Sequence, residues 1–181
     1  MAKYSHQTTA SRAPSTKIRF FWKPEGKGKV GNHVMCQWFQ ASFEEFGIKY
    51  ENAEQYMMAN KAKLFGDTQA QRKIMAEKDP KVVKELGRSI KGFKSDLWDK
   101  YAQNIVRRGN FLKFNQNPEL KEFLVSTGDD ILAESSPFDT IWGIGMGDRD
   151  KKHKDPINWK GQNLLGYILM DVRDQLAKQS A

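Results

Sequence analysis

Apolar positions recur at helical spacing through most of the chain beyond residue 52. The clearest stripe is the last: Leu165, Ile168, Leu169, Val172 and Leu176 predict an amphipathic helix over Leu164–Lys178. Pro80 can open a helix whose inner stripe is Val82, Val83, Leu86, Ile90 and Phe93. Ser95 can cap the next, with Leu97, Trp98, Tyr101 and Ile105 facing inward. Asn117 and Pro118 open a further helix that buries Leu120, Phe123 and Leu124 and ends near Gly128. Residues 69–78 read as a polar helix. Strand patterns are few. IRFFW at 18–22 is one; residues 43–46, a turn at Gly47 and a return at Ile48–Tyr50 form a hairpin. Residues 129–162 look irregular apart from a short strand at Ile131–Glu134. The polar, Ser/Thr-rich residues 1–17 read as a disordered basic tail, and 18–181 as a single domain. The fold class is mainly α, a multi-helical orthogonal bundle with a small N-terminal β-hairpin element.

One helix breaks the usual division of faces. In ENAEQYMMANKAKLFGD, residues 51–67, Asn52 is the candidate N-cap, Gln55 suggests a capping box and Gly66 suits the end. Glu54, Met58, Lys61 and Phe65 fall in one column, and Ala53, Tyr56, Met57, Asn60 and Leu64 in its neighbour. Glu54 and Lys61 are seven residues apart, roughly 10 Å along the axis, which exceeds the i, i+4 spacing of a helix ion pair. Two readings follow. Both groups lean out to solvent, or both reach toward one small ligand between them.

Composition narrows the chemistry. The only cysteine, Cys36, excludes an intramolecular disulfide and sits in an apolar neighbourhood that suits a packed thiol. His6, His33 and His153 are scattered, so no zinc or other metal site is expected. No long apolar run or secretory leader is present, and the protein reads as soluble and cytoplasmic. The net charge of +8 invites a nucleic-acid partner, but residues 1–30 alone carry +6, seven Lys and Arg against Glu25. The basicity therefore says little about the folded part.

The segment SSPFDTIWGIGMGDRDKKHKDPINWKGQNLLG is a long connection of the kind that often carries function. It holds Trp142 and Trp159, able to stack on a flat ring or to anchor a core, and Asp139, able to bind a ligand or cap a turn. Gly143, Gly145, Gly147 and Gly161 permit close backbone approach. They do not form a dinucleotide fingerprint, for no strand–GxGxxG–helix context surrounds them. Asn163 is the candidate N-cap of the last helix. No Ser-His-Asp or Cys-His constellation is readable.

An ordered series of segments resembles the NADAR, or YbiA-like, family. It runs CQWFQASF (36–43), AEQYMMANKAKLF (53–65), LGRSIKGF (86–93) and a helix containing Trp98. It continues with KFNQNPELKEFLVSTG (113–128), LAESSPFDTIWGIG (132–145) and WKGQNLLGYILMDVRDQL (159–176). The resemblance implies an N-glycosidase on a mainly helical fold, acting without a metal or redox cofactor. Its implied substrates are phosphorylated ribosylaminopyrimidine intermediates of riboflavin synthesis, or ADP-ribose attached to guanine, including guanine in nucleic acid. It implies Glu54 and Lys61 as catalytic residues. It associates Trp98, Asp139 and Trp142 with the substrate pocket, together with Gln37, where many relatives have asparagine. The backbone at Gly143 and Gly145 would receive phosphate, and Asn163 would contact substrate. The competing expectation is a non-catalytic module that binds ADP-ribose or nucleic acid.

Overall fold

The computed structural model describes residues 3–26 and 30–179. Its elements in chain order are α1 (His6–Arg12), β1 (Ile18–Phe21), β2 (Phe43–Glu45), β3 (Ile48–Tyr50), α2 (Ala53–Leu64), α3 (Thr68–Ala76), α4 (Pro80–Arg88), α5 (Ser95–Gln116), α6 (Pro118–Ser126), β4 (Ile131–Glu134) and α7 (Leu164–Lys178). The fold is mainly α. It divides into two compact units: Gln37–Asn117, and the chain up to Cys36 together with everything from Pro118 on.

The Gln37–Asn117 unit is built around α2, which packs on α3, α4 and α5. Every residue from Ala53 to Ala59 is buried, so this helix has no solvent face over its first two turns. Polar residues there must go inside, which is why its column pattern is not amphipathic. The predicted hairpin forms as β2 and β3, antiparallel, with Phe43 opposite Tyr50. Its turn residues Phe46 and Gly47 have φ of 51° and 77°, the paired positive values of a type I′ turn. The rings of Phe43, Tyr50 and Tyr56 pack at centroid distances of 4.9–5.8 Å, which joins hairpin to helix. Tyr56 donates to Glu45 Oε2 at 2.7 Å, and Arg108 Nε donates to Glu45 Oε1 at 2.7 Å.

Three expectations for this unit are corrected. α4 stops at Arg88, so Ile90 and Phe93 lie beyond it; Ile90 is buried, but Phe93 is 46% exposed. Ser95 is the first residue of α5 and not its cap, since Lys94 holds the N-cap position without a side-chain bond. Tyr101 lies on the exposed side of α5, while Ala102 and Val106 face inward.

In the other unit, β1 and β4 pair in parallel, with Ile18 opposite Ile131. Ile131, Ala133, Ile144, Met146 and Trp159 form a core against which Ala13, Ile18 and Phe20 pack. α7 packs on β4 and α6. Fully buried Arg173 is held by Thr127 Oγ1 at 3.0 Å and the Asp130 carbonyl at 2.7 Å. The stretch expected to be disordered carries a helix over its described part. Ser5 and Thr8 close a capping box on α1, and Tyr4 is buried with its hydroxyl donating to Asp174 at 2.8 Å. Among the described residues, no helix is long and apolar enough to cross a membrane.

Candidate functional site

The start of α2 is fixed from three sides. Asn52 accepts from the Gln55 amide at 2.9 Å, as an N-cap should. The reciprocal box bond is displaced by one residue: Gln55 Oε1 accepts from the Glu51 amide at 2.8 Å. The Gln55 Nε2 group donates to the Glu77 carbonyl at 2.9 Å, which ties α2 to the end of α3. The amide of Glu54 donates to the Gln37 carbonyl at 3.1 Å. Glu54 itself is only 5% exposed.

Two turns on, Lys61 is half-buried. Its ammonium donates to the Gly87 carbonyl at 2.8 Å and lies 4.5 Å and 5.3 Å from the ring centres of Phe93 and Trp98. Desolvation pushes its pKa below the usual lysine range. The carboxylate of Glu54 works against that fall, and the Arg88 guanidinium adds to it. Each charge therefore feels the other, although they are not a hydrogen-bonded pair. A lysine ammonium has three donors, of which one goes to Gly87, so two remain for a ligand. Lys61 and Arg88 together make a concentration of positive charge next to two aromatic rings.

Local sequence explains this arrangement. A Cβ at Gly87 would meet Met58 Sδ at 1.9 Å, so any larger residue there displaces the buried Met58 side chain between α4 and α2. Asp67 accepts from the Ala70 amide at 2.9 Å and from the Lys91 amide at 2.8 Å, which pins the segment that carries Phe93. Phe93 then lies 5.2 Å from Phe65, centre to centre. Gly87 and Arg88 were not singled out from the sequence, and Phe93 was read as a core position of the helix opened by Pro80, although LGRSIKGF contains all three. The available signal was that glycine in an otherwise helical stretch, which the stripe of apolar residues obscured.

Gln37 stands apart. It is 9% exposed, and neither end of its side-chain amide has a hydrogen-bond partner. Each such buried idle group costs about 1–3 kcal/mol.

The remaining predicted residues belong to the other unit. Asp139 Oδ1 accepts from the amides of Ile141 at 3.0 Å and Trp142 at 2.8 Å, so its turn-capping role is real. Trp142 is partly exposed. The segment around them is irregular but tightly laced: the amides of Gln162, Asn163 and Leu165 donate to the carbonyls of Thr140, Gly143 and Trp142 at 2.9–3.1 Å. A Cβ at Gly161 would lie 2.3 Å from the Gly143 carbonyl oxygen, so glycine is required where the two stretches meet. Gly145 has φ of 64° and is half-buried.

Trp159 is a core anchor, buried with Nε1 donating to the His153 carbonyl at 2.7 Å. Asn163 precedes α7 but does not cap it with its side chain. It adopts φ of 54° and is fully buried; its Oδ1 accepts from the Glu134 amide at 3.1 Å and its Nδ2 donates to the Leu132 carbonyl at 3.0 Å. Its amide is spent on β4. Among the described residues, no group of three His, Cys, Asp or Glu side chains could hold a metal ion.

Comparison with known proteins places the chain. The NADAR domain family matches residues 20–177. The N-glycosidase R617 of Acanthamoeba polyphaga mimivirus is 41% identical over 160 residues, covering 86% of this chain and 94% of that protein. The N-glycosidase YbiA of Escherichia coli K12 is 30% identical over 131 residues, covering 72% of this chain and 73% of its own length. The NMR structure of E. coli YbiA superposes with a TM-score of 0.74 at 25% identity, covering 91% of this chain and 87% of that one. The order of segments, the fold and the match over nearly the whole chain agree: the chain belongs to the NADAR family.

Proposed function

We propose that this chain is an N-glycosidase that hydrolyses the bond between the anomeric carbon of a ribose and an amine nitrogen. The observation that carries the reading is the pairing of the buried Glu54 carboxylate with the half-buried Lys61 ammonium on one helix, each within the other's field. Burying a carboxylate as deeply as Glu54 carries a desolvation cost that a half-buried lysine two turns away does little to offset. The relatives named N-glycosidases support the reaction class.

In the proposed reaction the C1–N bond breaks and its electron pair leaves with the nitrogen. Positive charge grows on C1 and the ring oxygen. Water bonds to C1 and gives a proton to the Glu54 carboxylate, which passes it to the departing amine. One water is consumed, and a free amine and a free sugar leave. Lys61 has two candidate roles. Its lowered pKa suits a neutral amine that bonds to C1 as the base departs, losing a proton that it regains when water releases the sugar. As an ammonium it would instead bind a phosphate or hydroxyl oxygen, with Arg88 beside it. Borohydride trapping separates the two, since only the covalent role gives a reduced adduct at Lys61. Trp98, beside Lys61, would stack on the ring of the substrate. The Gly145 amide already donates to the Asp139 carbonyl at 3.1 Å, so its assignment to phosphate is dropped. Asn163 is reassigned from substrate contact to positioning, because its amide is already engaged.

The substrate is either ADP-ribose on guanine or a ribosylaminopyrimidine phosphate. Both carry phosphate, which suits the Lys61 and Arg88 charges. The test offers purified protein both compounds and follows free base by mass spectrometry. Base from one of them supports the reading and names the class. Tight binding of both with no base released from either would make the protein a non-catalytic binding module.

A further inference from the structure

A buried amide with both ends idle is uncommon in a folded protein, because buried polar groups are nearly always answered. Gln37 is one: more than nine-tenths of it is covered, yet its oxygen and nitrogen both lack partners. Its location is specific. The carbonyl of the same residue takes the amide of Glu54 at 3.1 Å, so Gln37 is fixed at the first turn of α2, against the residue that would protonate the leaving nitrogen.

A planar amide offers an N–H donor and a carbonyl acceptor side by side. Its complement is a planar edge with an acceptor next to a donor, the match by which Asn and Gln read base edges in nucleic-acid grooves. Bases joined to the sugar through an exocyclic amine can carry such an edge as a ring N–H beside a ring carbonyl, a lactam. Guanine has one, and so does a ribosylated aminopyrimidinone.

We propose that Gln37 is a specificity residue that reads the lactam edge of the leaving base, its amide oxygen accepting from the ring N–H and its amide nitrogen donating to the adjacent carbonyl. The proposal rests on the N-glycosidase reading and goes beyond it by naming what the two substrate classes share. It assigns the N-terminal end of α2 to the base and the Lys61 end to the phosphorylated sugar.

The experiment compares hypoxanthine with purine, which differ only at the lactam edge, by calorimetry on the full chain. Wild type is expected to bind hypoxanthine at least about tenfold more tightly, in line with one bidentate pair. Gln37→Met fills the same volume without polar atoms. It is expected to keep or raise Tm while the hypoxanthine preference falls to about one; Gln37→Leu repeats the test if the first variant folds poorly. An undiminished preference in a folded variant, or none in wild type, overturns the assignment. Turnover keeps this apart from the parent reading. Base release with an unaltered base preference in the variant sinks Gln37 alone, whereas no base release by wild type sinks the glycosidase.

Discussion

The Lys61 ammonium lies 2.8 Å from the carbonyl oxygen of Gly87, the residue whose absent side chain lets α4 close on α2 at Met58. Gly87→Ala would place a Cβ 1.9 Å from Met58 Sδ and 2.8 Å from its Cγ, so the buried Met58 side chain must move. The expected cost is about 1–3 kcal/mol, the usual range for overpacking. Thermal unfolding checks it, and Met58→Ala in the same chain should return part of the loss.

Burial holds Lys61 at a cost to stability. Its folded-state pKa lies below its unfolded value because burial disfavours the ammonium. The unfolded chain therefore binds more protons in the window between the two values, and wild type gains stability as pH rises through it. Lys61→Met removes that dependence. The variant should be at least as stable as wild type at neutral pH, and its advantage should shrink as pH approaches the unfolded lysine value. Denaturant unfolding at several pH values reads this; an advantage that grows with pH would refute it. Turnover should drop by a factor of about 10² or more.

Asn163 separates a scaffold role from a substrate role. Asn163→Ala removes the side-chain hydrogen bonds to the Glu134 amide and the Leu132 carbonyl, at a cost of about 2 kcal/mol or more. The expected result is a clear fall in Tm with kcat of the folded fraction retained. Unchanged Tm with lost substrate affinity would show that the side chain contacts the ligand.

Phe46 is 92% exposed at φ of 51°, a conformation that bulky residues rarely adopt. Phe46→Asn creates the Asn-Gly pair favoured in type I′ turns. It should stabilise the chain by about 0.5–1 kcal/mol and leave activity unchanged, as read by unfolding and assay.

Legibility of this chain followed the range of the interactions. The hairpin and α7 were readable because turn residues and an amphipathic stripe are local signals. The parallel pairing of β1 with β4 was not, because its partners are far apart in sequence and nothing local names them. α1 was missed because its capping box uses Thr8 where the usual signal is Glu or Gln, and its buried face rests on small and polar residues such as Thr9. Phe93 was drawn into α4 because its spacing continued the stripe; Ser89, Lys91 and Gly92 broke the helix first. For Glu54 and Lys61, periodicity left two readings open; burial of the first two turns of α2 on all sides turns Glu54 inward, while Lys61 is half-buried against Phe93 and Trp98. The charge of Arg88 on Lys61 and the idle amide of Gln37 are three-dimensional facts with no sequence pattern.

The central claim is that the buried carboxylate on α2 carries out the chemistry on a ribose–amine bond. Glu54→Gln keeps the shape and removes the charge, so the most direct measurement is single-turnover release of free base by this variant, with substrate affinity measured alongside. Affinity is expected within a few-fold of wild type and release slowed by about 10²–10⁴-fold. Release at the wild-type rate would contradict it.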